Sequence, residues 1–233
     1  MLLVYVPAGE FTMGRNQDGA YDEKPAHTVS LDAFWLDRTE VTNALYSLCV
    51  KAGDCQLLRD TTYYGDPRYA THPVVHVSWN DAQAYCEWAG RRLLTEAEWE
   101  KAARGTDLRT YPWGNQLPDA NLANFADVNL DVYWANKLVN DGYTFTAPVG
   151  AYPAGTSPYG ALDMAGNVRE WTASLYDVYP GKTDSNSSYR TQYRVLRGGS
   201  WSNYGYDLRV TKRYSNQPDY SSGSIGFRCA RSE

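Results

Sequence analysis

Apolar positions recur along this chain at spacings that predict a few short regular elements, nearly all of them before residue 106. Residues 2–14 read as strand, turn and strand, with Pro7-Ala8-Gly9-Glu10 turning a hairpin. From 29 to 36 the alternation sets Val29, Leu31, Ala33 and Trp35 on one face of a further strand. Three helices follow. Thr42 is placed to cap the first, whose apolar face carries Leu45, Leu48 and Cys49 and which stops at Gly53. Ser78 caps the second, in which Ala82, Tyr85, Cys86 and Ala89 return at helical spacing before Gly90. Thr95 and Glu98 form a capping box for the third, ending at Gly105. The acids at 81, 87, 96, 98 and 100 read as capping and solvated charges.

After Gly105 the periodicity fades. Residues 111–156 are rich in Asn and Asp with isolated aromatics, which predicts a long ordered loop, and such loops carry function or need an ion to hold them. A hairpin-like unit is expected next, from Tyr159-Gly160-Ala161-Leu162 through Met164–Asn167 to Val168-Arg169-Glu170-Trp171. There is no fixed-period repeat.

The last forty residues, Arg194–Glu233, have scaffold-like ends around Val195, Leu196 and Trp201, and around Ile225–Cys229. Between them, residues 202–224 hold four Tyr, five Ser, two Asn, two Asp and two Gly. Binding loops use this mixture, because Tyr covers area at low rotamer cost while small polar residues adapt their hydrogen bonds. Any long solvated loop is also rich in Ser, Gly, Asn, Asp and Pro. The tyrosines at 204, 206, 214 and 220 favour the binding reading, since a merely solvated loop gains nothing from exposing large rings.

Length and charge narrow the classes. A chain of 233 residues without a linker is read as one domain, 1–233, containing the candidate variable region 194–233. A net charge of −5 argues against nucleic acid as the main partner, and no apolar run is long enough to insert in a membrane. The opening Met-Leu-Leu-Val-Tyr-Val-Pro lacks a basic n-region and is read as a strand rather than a signal peptide, leaving the compartment unassigned. Cysteines 49, 55, 86 and 229 lack zinc spacing and permit three pairings. Cys86 with Cys229 is favoured because each lies in an apparent core segment, with buried free thiols as the alternative. His27, His72 and His76 read as structural, His76 alternating with valines in a strand. No phosphate loop or nucleophile elbow is present.

Eight segments, in order, carry a resemblance to the formylglycine-generating enzyme, or sulfatase-modifying factor, domain. They are Pro7–Gly14, Glu40–Asn43, Pro73–Trp79, Arg92–Glu100, Tyr111–Gly114, Gly166–Trp171, Arg197–Trp201 and Gly226–Ala230. The resemblance implies an α+β, C-type-lectin-like fold with few regular elements and much ordered loop, and it agrees with a Cys86–Cys229 disulfide. It also implies two catalytic cysteines that bind copper, but those positions hold Asn203 and Leu208, and neither supplies the thiolate that copper(I) needs. Hence no copper and no oxidase chemistry are expected. The same resemblance implies one calcium site from Asn124, the Phe125 carbonyl, Asp141 and the Tyr143 carbonyl. A second would use Asp163, the carbonyls of Gly166 and Val168, and Glu170. Hard oxygen donors of this kind suit a structural Ca²⁺; the simpler alternative has Asn124 and Asp141 capping turns and Glu170 paired with an arginine.

The tail resembles the variable region of diversity-generating retroelement proteins, which randomise adenines and so turn an Asn codon into Tyr, Ser, Asp, Gly, Thr or His but not Trp, Lys, Gln or Glu. Ser202, Asn203, Tyr204, Tyr206, Asp207, Tyr214, Ser215, Asn216, Tyr220, Ser221, Ser222 and Ser224 fit that product set. Trp201, Lys212 and Gln217 do not and are assigned to scaffold. The expectation is a non-catalytic display protein whose ligand is another protein. An enzyme of the same family using other residues, and a sensory domain of a larger signalling protein such as a bacterial kinase, are the alternatives.

Overall fold

The computed structural model describes residues 1–182 and 192–233. Three helices lie where the caps predict them: α1 Asn43–Ala52, α2 Trp79–Trp88 and α3 Glu96–Arg104. Thr42 Oγ1 accepts the Leu45 amide, and the chain leaves α1 through Gly53 at φ 87°. Ser78 with Asp81, and Thr95 with Glu98, form reciprocal capping boxes on α2 and α3. On α1 the buried apolar side chains are Tyr46 and Cys49, with Asn43 buried at its start, whereas Leu48 is exposed.

The strands pair over longer distances than expected. β1 Leu3–Val6 does not form a hairpin with β2 Gly9–Met13. It pairs antiparallel with β4 Phe34–Asp37, while β2 pairs with β3 His27–Leu31. The strand expected over 29–36 is therefore two, broken at Asp32-Ala33, and the buried face of β4 is Phe34 and Leu36. The Pro7-Ala8 link carries the chain from one sheet to another, and Pro7 has no amide to give a ladder. β4 also pairs with β10 Cys229–Ser232, and β10 with β5 Arg92–Leu93, giving the order β1-β4-β10-β5. The first and last strands thus share one neighbour.

The second four-stranded sheet has the order β8-β7-β6-β9, from β6 Arg169–Leu175, β7 Arg194–Arg197, β8 Tyr214–Asn216 and β9 Ile225–Gly226. No strand forms at 159–162, so the expected unit there is not a hairpin; β6 instead takes β7 antiparallel and β9 parallel. Residues 105–152 contain neither helix nor named strand, as the loss of periodicity predicts. Cys86 is bonded to Cys229, tying α2 to β10, and Cys49 to Cys55, closing the turn after α1. Around Cys86–Cys229 the core gathers Val41, Tyr46, Tyr85, Trp171, Ile225 and Phe227. A second cluster packs Phe34, Leu36 and Trp99.

Candidate functional site

The tail is held down by buried arginines. Arg197 pairs with Glu100 and Glu96, Arg213 with Glu96 at 2.6 Å, and Arg209 with Glu23 at 2.6 Å. Glu96 and Glu100 are thus not solvated charges: both are buried, because their partners arrive from the tail. Burial pushes the Glu23 carboxyl up, but bonds from Thr211 and Arg209 outweigh it and hold the group below its ordinary range. Around these anchors other tail residues face outward. Tyr204, Tyr206 and Tyr220 are exposed, and Ser202, Asp207, Ser215, Asn216, Ser221, Ser222 and Ser224 are half-buried.

Two residues assigned to the display surface belong elsewhere. Asn203 is buried: its Oδ1 accepts from Arg169 at 2.9 Å and from Ser200 at 2.8 Å, and its Nδ2 donates to the Tyr214 hydroxyl. Tyr214 lies half-buried on β8 with the Arg169 guanidinium 4.5 Å from its ring centre, and burial raises its hydroxyl above the ordinary phenol range. Leu208 is fully buried against Tyr111, Phe125 and Ala165. All four cysteines are in disulfides.

The outward residues form two limbs. In the first, Tyr204 and Tyr206 flank a turn over Pro118 and Phe125; the Tyr206 hydroxyl donates to the Asp18 carbonyl, and the Trp134 indole donates to the Ser202 carbonyl. Trp134, with exposed Tyr133 and Leu138, comes from the long loop and adds apolar surface that the tail's composition did not announce. In the second limb, Asp219 and Ser221 line a polar cleft of about 370 Å³ with Gln56, His76, Ser78 and Asn80. His76 does not sit in a strand. It has φ 59°, its Nε2 is 3.5 Å from Asp60, and its amide donates to the Ser222 carbonyl. The Trp201 indole donates to the Gly223 carbonyl and so ties the limbs together.

Beneath the first limb the long loop is cross-braced by oxygen donors. Asp141 accepts the Phe125 amide on Oδ2 and the Tyr143 amide on Oδ1, so it caps turns as the simpler alternative has it, and these residues meet through their amides rather than their carbonyls. Burial pushes the Asp141 carboxyl up to about 6. Asn124 donates to the Phe145 carbonyl and to Asn167, while its own Oδ1 is buried with no donor in reach. That orphaned acceptor is the one observation in this set that a hard cation would relieve.

The second expected set is met in part. Asp163 accepts the Gly150 amide, but Glu170 is occupied: Arg228 donates to it twice, at 2.7 and 2.8 Å, and the Trp99 indole once. Beside it lies buried Glu40, a residue to which the spacing gave no role, whose carboxyl is pushed well up by burial and by the neighbouring Asp163 and Glu170. Asn167 joins the two sets, accepting from Asn124 and donating to Glu40, and its carbonyl accepts the Trp201 amide at the root of the tail. Among the described residues no three His, Cys, Asp or Glu side chains form a metal-ligand group. No helix among the described residues is long and apolar enough to cross a membrane.

The model of a sulfatase-modifying factor enzyme 1-like domain matches residues 2–233. The formylglycine-generating enzyme of Mus musculus is 34% identical over 98% of this chain and 74% of its own length. The inactive C-alpha-formylglycine-generating enzyme 2 of the same organism is 35% identical over 99% of this chain and 85% of its own. The serine/threonine-protein kinase pkn1 of Chlamydia caviae is 36% identical over 98% of this chain, which covers 38% of the kinase. Among solved structures, PvdO from Pseudomonas aeruginosa superposes with a TM-score of 0.79 at 30% identity, covering 99% of this chain and 94% of PvdO. Treponema denticola variable protein 1 shares the fold, with a TM-score of 0.73 at 24% identity over 99% of this chain and 95% of that one.

Proposed function

The chain belongs to the sulfatase-modifying factor family and has its C-type-lectin-like fold, and from that premise we propose that it is a non-catalytic ligand-binding member. Its outward tail side chains contact a protein ligand and are varied by a diversity-generating retroelement. One observation carries the reading: residues 202–224 present Tyr204, Tyr206 and Tyr220 to solvent from turns whose intervening residues, Arg209 and Arg213, are locked into buried ion pairs. A surface built this way changes its side chains without changing its frame. The family's two cysteine positions hold a hydrogen-bonded amide, Asn203, and a core residue, Leu208, which supports binding over oxidation. A structural Ca²⁺ at Asn124, Phe125, Asp141 and Tyr143 would hold the long loop against the tail, and Asp163 with the Gly166 and Val168 carbonyls would take a second.

Replacing Tyr204, Tyr206 and Tyr220 together by Ala tests the outward placement. Three surface changes of about 0.5 kcal/mol each shift the melting temperature by no more than about 4 °C. A fall of more than about 10 °C would mean that the rings are core and the reading wrong. Variation is tested by sequencing the gene across many cells of one culture: substitutions should fall at adenines in codons for the outward residues and spare Trp201, Arg209 and Arg213. A second reading, a sensory domain within a signalling protein, is supported by the match to a kinase of which this domain covers 38%. It requires a kinase domain in the same gene.

A further inference from the structure

The long loop carries an exposed apolar surface that the tail does not encode. Val128, Tyr133, Trp134 and Leu138 all face solvent, Tyr133 at 95% and Leu138 at 97% exposure. A single exposed leucine is ordinary, whereas several large apolar side chains gathered in one short loop mark a contact surface. The loop is built to hold them there. Val128 donates its amide to the Val139 carbonyl, Asn136 donates its amide to the Ala126 carbonyl, and the Lys137 ammonium donates to the Leu130 carbonyl. Ala135 is buried, and Val139 packs against the cluster that contains Leu208. The Tyr133 and Trp134 rings meet edge to face at 4.9 Å. Rings fixed in advance lose little freedom when they bind.

Two features indicate what covers this surface. It is continuous with the outward tail: the Ala126 amide donates to the Asn203 carbonyl and the Trp134 indole to the Ser202 carbonyl, so the loop meets the tail at the two residues before exposed Tyr204. Its border is polar and of mixed charge, with Asp131, Lys137 and Asn140 exposed. An apolar centre inside such a border is the anatomy of a protein contact, whereas a surface that lies on lipid is bordered by Lys and Arg.

We propose that Val128, Tyr133, Trp134 and Leu138 form a fixed apolar anchor for an apolar segment of the protein ligand, while the adjoining tail selects among ligands that share such a segment. This rests on the tail being a binding surface. Because the anchor lies outside residues 194–233, every variant of the tail keeps it.

The test is panning of a phage-displayed random-peptide library on the full chain, followed by calorimetry of the enriched peptides against the parent and its variants. Enriched peptides should carry several Leu, Met, Phe or Trp. Tyr133→Ser with Leu138→Ser should weaken them at least about tenfold without lowering the melting temperature, and Leu138→Met should keep the affinity. Changing Tyr204, Tyr206 and Tyr220 to Ala should weaken them as well. Loss in the tail variant alone would overturn the anchor and leave the tail reading standing. Loss in the anchor variant alone would overturn the tail reading and, with it, the joint surface. Loss in neither variant, or no enriched peptide, would overturn the anchor. So would partition onto phosphatidylcholine vesicles, or a dimer, that Leu138→Ser abolishes, since lipid or a second copy would then be the occupant.

Discussion

Glu23 shows how single residues set the frame under the tail. Its carboxylate neutralises Arg209 and accepts from Thr211, so Glu23→Gln strands a buried guanidinium at a cost of about 3–5 kcal/mol. Because the folded protein holds this carboxyl below its ordinary range, its contribution is full above the unfolded value near 4.5 and is lost as pH falls below that. Urea unfolding at pH 7 and pH 3 should therefore show a gap between the parent and Glu23→Gln that narrows at the lower pH. A constant gap would assign the effect to packing alone. The tail pairs are illegible in the sequence: Glu96 and Glu100 look solvated at helical spacing, and although Arg104 stands one turn from Glu100, the tail arginines that bury them lie 117 and 97 residues away. Asn203 misled for a similar reason. Its composition suits a binding loop, but Arg169 and Ser200 draw it inward.

At the level of elements, the helices were readable because their caps are local, three residues from the cap to the amide or acid it engages. The strands were not, since β4 serves both the first and the last strand of the chain and nothing near it announces either partner. Gly166 joins the two expected ion sets. It has φ 86°, and a Cβ there would stand 2.3 Å from the Asn124 carbonyl oxygen. Gly166→Ala is expected to cost more than about 3 kcal/mol and to displace Asn124 from Asn167; calorimetry showing less than 1 kcal/mol would refute that packing. The disulfides differ in reach, with sequence separations of 6 and 143. Loop-closure entropy makes loss of Cys49–Cys55 cost about 2 kcal/mol and loss of Cys86–Cys229 about 5. Paired Ser substitutions with denaturant melts check the order, and a reversal would place the difference in the folded state.

Across the whole molecule, the reading depends on a loop without helix or strand staying rigid beside a tail that must accept many side chains. If Ca²⁺ braces that loop, chelation should lower the melting temperature by about 5–10 °C, and excess Ca²⁺ but not Mg²⁺ should restore it. An unchanged melting curve would leave the loop to its own hydrogen bonds. The overall fold was legible through eight short segments in order; the division of the tail into outward and anchoring positions was not, because burial depends on where Arg169, Glu23 and Glu96 arrive in space. A saturation-mutagenesis scan of residues 202–224, read out by protease resistance of the folded chain, measures that division directly. It should find free substitution at Ser202, Tyr204, Tyr206, Asp207, Asn216, Tyr220 and Ser221, and intolerance at Asn203, Leu208, Arg209 and Arg213. Intolerance at the three exposed tyrosines, or tolerance at the buried arginines, would contradict a fixed frame carrying a changeable surface.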